Sequence, residues 1–299
     1  MSVHTLAMSV ASEIVECLLR LSGASKEVSE REFYKEMRKN AFCRLRGRES
    51  LPHFSDVKTE KGVYCGMNYF LFLPTEVDTP NIVMYLHGSG YVNTYRRFHL
   101  RFAADLARNL HAKVYFPLYP KLPFADAVSC FALLNNFYAF LVKKGKVCLI
   151  GDSSGASLAL SLAAKNASAK TVVAISPWVL LKVGEEGRQV TSDVVLSLSK
   201  LDYAAELWKG DLKTEDVRVS PFYGNYAGKD ILLIAGEKER FRPDILRFFH
   251  EHAASGAKMS YIEGRASQHC YPLMPTPEGK GARRVIYEKM CGCLYGEKI

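Results

Sequence analysis

Apolar positions along the chain fall into two rhythms. Near the start, Leu6, Val10, Ile14, Cys17, Leu18 and Leu21 recur at helical spacing, which predicts an amphipathic first helix. Ser29 followed by Glu32 forms a capping-box pattern and opens a second helix reaching about Asn40. Short apolar runs then alternate with helical stretches. The runs predict strands at 63–73, 82–86, 113–118, 147–150, 171–176, 231–235 and 259–262. Helices are expected between them at 96–110, 125–143, 154–166, 242–255 and 279–291. The later strands are continuously apolar, as parallel strands covered on both faces require. This alternation predicts an α/β protein built on a mostly parallel sheet.

One segment breaks the rhythm. Between Trp178 and Lys229 about fifty residues separate two strands, more than a crossover helix needs. The stretch from Ser192 to Trp208 has helical spacing, so this is an inserted subdomain. With the N-terminal helices it is expected to cover one edge of the sheet.

Composition narrows the class without choosing the function. A chain of 299 residues with 48% hydrophobic and 24% charged residues is an ordinary globular sequence, which excludes disorder and fibrous repeats. The eight cysteines lack paired metal-ligand spacing and several sit in apolar runs, so all are expected to be reduced thiols of a cytoplasmic protein. The N-terminal segment lacks a basic n-region, with Glu13 and Glu16 interrupting it, and makes a poor signal peptide. No apolar stretch approaches membrane-spanning length, so no integral membrane segment is expected. The net charge of +9 raises nucleic acid as a partner. Its densest block, Arg38 to Arg48, holds five basic residues and no carboxylate. No nucleic-acid module surrounds it, so it reads as a solvated face and no nucleic-acid partner is expected.

Chemistry concentrates in three places. Gly151-Asp152-Ser153-Ser154-Gly155 stands directly after one strand and before a helix, the context of a nucleophile elbow. Small residues flank Ser153 because such a serine occupies a sharp, strained turn. His87-Gly88-Ser89-Gly90 follows the strand at 82–86, and a glycine-rich loop there can aim backbone N–H groups at a developing oxyanion. A serine hydroxyl needs a base. Among eight histidines, His269 is the one that follows a late strand's C-terminal end. Its orienting acid is expected after the strand at 231–235, where Glu239 is favoured and Glu237 and Asp244 compete. The order Ser153, Glu239, His269 is that of α/β-hydrolases.

From about Asn81 onward the chain resembles the hormone-sensitive-lipase-like branch of the α/β-hydrolases, which includes microbial acetyl esterases. HGSG stands for the family's HGGG and GDSSG for its GDSAG. Ser176-Pro177-Trp178, Ser220-Pro221 and Tyr119-Pro120-Lys121-Leu122-Pro123 resemble further family blocks. The resemblance implies one α/β-hydrolase domain over 1–299, with a helical cap formed by 1–50 and 178–229. Ser153 is then the nucleophile, His269 the base and Glu239 the acid. Ser89, Gly90 and Ser154 supply the oxyanion-hole amides, and His87, Gly88, Gly151, Asp152 and Gly155 support the two motifs. The chain departs from the pattern at three points: Ser89 replaces a glycine, Glu239 an aspartate, and a glutamate is missing after Pro123.

The implied activity is a serine carboxylesterase for small-molecule esters with short-to-medium acyl chains, working through an acyl-enzyme. No cofactor and no metal is required, and the protein is expected to be a monomer or homodimer. An amide-directed hydrolase, a deacetylase or arylformamidase, uses the same three residues. A ligand-binding relative without catalysis is the remaining alternative, and its hallmark, a lost histidine, is not seen here.

Overall fold

The computed structural model describes residues 9–46, 51–75 and 79–296, with the backbone alone over 43–46. Eight strands among the described residues form one sheet: β1 (Val57–Tyr64), β2 (Met67–Pro74), β3 (Asn81–Leu86), β4 (Lys113–Pro117), β5 (Lys146–Asp152), β6 (Thr171–Ile175), β7 (Asp230–Gly236) and β8 (Lys258–Gly264). Their order is β1-β2-β4-β3-β5-β6-β7-β8. The β1–β2 and β2–β4 pairings are antiparallel and the remaining five parallel. This is the α/β-hydrolase fold that the motifs implied.

The helices are α1 (Val10–Ser22), α2 (Glu30–Arg46), α3 (Arg97–Leu110), α4 (Ala127–Val142), α5 (Ser154–Lys165), α6 (Glu185–Gln189), α7 (Leu198–Lys209), α8 (Arg242–Ala254) and α9 (Pro277–Tyr295). Strand side chains alternate between two cores. Ile82, Met84 and Leu86 of β3 join the core under α4, α5 and α8, while Val83 and Tyr85 join the core under α3 and α9. Both faces being covered, every residue of β3 is buried, which explains the continuous apolar runs.

Four expectations need correction. The predicted strand at 63–73 is a hairpin, with Cys65 at φ 45° and Gly66 at φ 79° making a tight turn between Tyr64 and Met67. The helix expected from Ser192 begins at Leu198, because Asp193 accepts the N–H groups of Val195 and Leu196 in a turn and Ser197 then caps α7. The first helix forms, but its apolar stripe faces solvent: Val10 is 71% exposed and Leu21 79%. Polar anchors hold it instead. Glu278 accepts from Ser9 and Ser12, and Glu16 pairs with Lys238 at 2.7 Å. Leu6 lies outside the described residues. Finally, Cys148 of β5 and Cys293 of α9 form a disulfide, their Cα atoms 6.9 Å apart, against the expectation of wholly reduced thiols.

The N-terminal segment and the insertion after β6 meet. Glu27, between α1 and α2, accepts from the N–H groups of Leu198 and Ser199 and the hydroxyl of Ser197, all at the start of α7. Phe33 of α2 packs on Tyr203 of α7 with ring centroids 5.5 Å apart.

Candidate active site

The parallel strands β3, β5, β7 and β8 all end at one edge of the sheet. Register sets the spacing there: Leu86 lies opposite Gly151, and Gly236 opposite Gly264. The loops that follow therefore carry His87, Ser153, Glu239 and His269 to a common place, where open α/β sheets bind ligands.

Ser153 turns the chain from β5 into α5 at φ 52°, ψ −126°, a conformation that L-residues avoid. Its N–H donates to the carbonyl of Ile175 at 2.8 Å, which holds the strained turn against β6. Gly155 lets α5 approach β3, since a Cβ there would meet the backbone carbonyl of Leu86. The hydroxyl of Ser153 lies 3.0 Å from Nε2 of His269. Nδ1 of His269 lies 3.0 Å from Oε2 of Glu239, and both residues are buried. The Glu239 carboxylate accepts a hydrogen bond from Nδ1–H, which leaves Nε2 to accept from the Ser153 hydroxyl. Glu239 is thus the carboxylate beside the imidazole. Glu237 instead accepts the N–H of Ala266, and Asp244 accepts that of Gly184.

Burial pulls the His269 imidazole down in pKa, but Cys270 and Glu239 push it up by more, leaving it well above the ordinary histidine range. Burial pushes the Cys270 thiol itself up to about 11. The thiol is therefore uncharged at neutral pH, and Glu239 is the group that favours the imidazolium. Burial raises the Glu239 carboxyl in turn, opposed by its hydrogen bond to His269.

The loop after β3 is tied to the elbow through Asp152. That carboxylate accepts from the hydroxyl of Tyr85 at 2.7 Å and the N–H of Gly88 at 2.9 Å, with Nε2 of His99 at 3.2 Å. His87 lies between Phe116 and Tyr119, and burial, then the Lys121 ammonium 3.1 Å from its Nε2, holds its pKa well below the ordinary range. Positive φ falls on Gly90 (57°) and Tyr91 (60°), so the serine at 89 costs no backbone strain. Of the three expected donors, the N–H of Ser89 is engaged: it donates to Oγ of Ser154 at 3.0 Å. Those of Gly90 and Ser154 have no acceptor among the described residues.

Comparison with known families decides the lineage. Residues 83–273 match the family described as alpha/beta hydrolase fold, a span that holds Ser153, Glu239 and His269. The chain belongs to the alpha/beta hydrolase fold family. An esterase of Acinetobacter venetianus is 24% identical to this hydrolase over 204 residues, 63% of this chain and 67% of the esterase. An acetyl-hydrolase of Streptomyces hygroscopicus is 28% identical over 224 residues, 68% of this chain and 73% of the relative. A solved esterase of the bacterial hormone-sensitive lipase family superposes with TM-score 0.82 at 20% identity, covering 97% of this chain and all of its own, a likeness of fold.

A cavity of about 580 Å³ opens onto Ser153 and His269 of the hydrolase. Phe33 and Met37 of α2, Val92, and Leu201 and Ala204 of α7 give it an apolar wall. Sequence reading missed several supports. Tyr85 and His99 reach Asp152 from 67 and 53 positions away, and no local pattern marks either contact. Lys121 was visible only as part of the Tyr119–Pro123 block. Among the described residues no cluster of three His, Cys, Asp or Glu side chains is placed to hold a metal, and no helix is long and apolar enough to cross a membrane.

Proposed function

We propose that this hydrolase cleaves carboxylic esters of short-to-medium acyl chain through an acyl-enzyme on Ser153. The observation that carries the reading is the continuous hydrogen-bonded chain Ser153–His269–Glu239, with both links at 3.0 Å. His269 takes the Ser153 proton as the hydroxyl oxygen attacks the ester carbonyl, and Glu239 stabilises the imidazolium that forms. The tetrahedral oxyanion is received by the free N–H groups of Gly90 and Ser154. His269 then protonates the departing alcohol. Water, deprotonated by the same imidazole, attacks the acyl-enzyme and releases the acid with Ser153 restored. The named relatives, an esterase and an acetyl-hydrolase, support the same bond type.

In this reading residues 1–299 form one hydrolase domain. The segments 1–50 and 178–229 act as a cap whose apolar residues receive the acyl chain. The test is hydrolysis of p-nitrophenyl butyrate by wild type and Ser153→Ala. The variant is expected to lose on the order of 10⁵-fold in kcat and to escape labelling by a fluorophosphonate. Wild-type rates in the variant would overturn the assignment.

A further inference from the structure

Beyond the catalytic residues, four charged side chains line the cavity: Glu36, Arg96, Asp152 and Lys200. Three are accounted for. Asp152 is bonded to Tyr85, Gly88 and His99 as described, and Glu36 pairs with Lys200 at 3.1 Å. Arg96 has no carboxylate partner among the described residues. It sits at the N-cap of α3, followed by Arg97, and the first turn of that helix holds no acidic residue. Two cations at the positive pole of a helix repel it and are unfavourable without an anion nearby. The cavity thus joins an apolar wall to an exposed guanidinium that pairs with no carboxylate among the described residues, with Ser153 opening into the same space.

We propose that the cavity selects esters carrying a second, anionic oxygen group, which the Arg96 guanidinium holds at the rim while the ester carbonyl lies at Ser153. This rests on the ester-hydrolase reading above and goes beyond it in naming the substrate class. A guanidinium donates two parallel N–H bonds to a carboxylate or a phosphate, so either group meets the requirement. The apolar part of the substrate lies along Phe33, Met37 and Val92.

The test compares matched substrate pairs that differ only in the anion. Mono-p-nitrophenyl adipate against its methyl ester places the charge in the acyl part. 4-Acetoxybenzoate against its methyl ester places it in the alcohol, and 4-acetoxyphenyl phosphate against its dimethyl ester exchanges carboxylate for phosphate. Wild type is expected to favour the anionic member of at least one pair by tenfold or more in kcat/KM, a preference that shrinks in 0.5 M NaCl by screening. Arg96→Ala is expected to cut that ratio at least tenfold, and Arg96→Glu to invert it. Arg101→Ala removes the same charge from α3 outside the cavity lining and is expected to keep the ratio within twofold. No preference in any pair, a ratio that survives Arg96→Ala, or an equal fall in Arg101→Ala overturns the inference. Failure of wild type to hydrolyse either member of every pair defeats the ester-hydrolase reading itself, and this inference with it.

Discussion

The backbone N–H of Ser89 is bonded to the side chain of Ser154, 3.0 Å away, across the gap between the glycine-rich loop and the nucleophile elbow. An N–H that must leave a hydroxyl before meeting an oxyanion returns less than a free one, by about the 1 kcal/mol of a neutral hydrogen bond. Ser154→Ala is therefore expected to raise kcat on p-nitrophenyl butyrate about fivefold. A fall in kcat with unchanged thermal stability would show instead that the bond positions the loop.

Catalysis as a base requires neutral His269, and its pKa is raised in the folded protein. Activity is therefore lost as pH falls through a value above the ordinary histidine pKa of about 6.5. Glu239→Gln removes the charge that favours the imidazolium. The acidic limb of the kcat/KM profile is then expected to move to lower pH while kcat falls by roughly 10⁴-fold. A limb that stays in place would remove Glu239 from the orienting role.

Gly155 faces the backbone of Leu86 and His87 with no room for a side chain. Gly155→Ala must push α5 away from β3 and so displace Ser153. The expected result is a loss of about 1–3 kcal/mol in urea unfolding, together with loss of fluorophosphonate labelling. Retention of both would mean that the backbone yields locally.

Trp208 of α7 is fully buried and stacks on Tyr91, the residue after Gly90, with centroids 4.1 Å apart and planes 5° from parallel. Trp208→Ala opens a cavity costing about 3–5 kcal/mol. Because Tyr91 adjoins the expected oxyanion donors, kcat should also drop, while Trp208→Phe should recover most of both. Recovery of stability alone would separate the stack from the chemistry.

Much of this was legible in the sequence because a parallel sheet writes its strands as apolar runs and its loops as glycine-rich breaks. The runs that became β3 to β8 and the motifs around His87 and Ser153 are of this kind. The β1–β2 hairpin was hidden by Cys65-Gly66, a turn without the usual Asn or Asp before glycine. On α1 the apolar periodicity is legible in the sequence, but the direction in which that stripe faces is not. Attachment there is decided by Glu16 and Glu278, whose partners lie more than two hundred residues away. The basic stretch that reads as a solvated face begins on α2, and Phe33, Glu36 and Met37 of that helix line the cavity. Contacts such as His99 with Asp152 depend on register and helix docking, which single-residue patterns do not encode.

Glu27 gathers three donors at the start of α7 and so clamps together segments about 170 positions apart. Glu27 is thereby a keystone: without it α7 would lose its tie to the segment before α2, and the apolar wall that Leu201 and Ala204 give the cavity would open to bulk water.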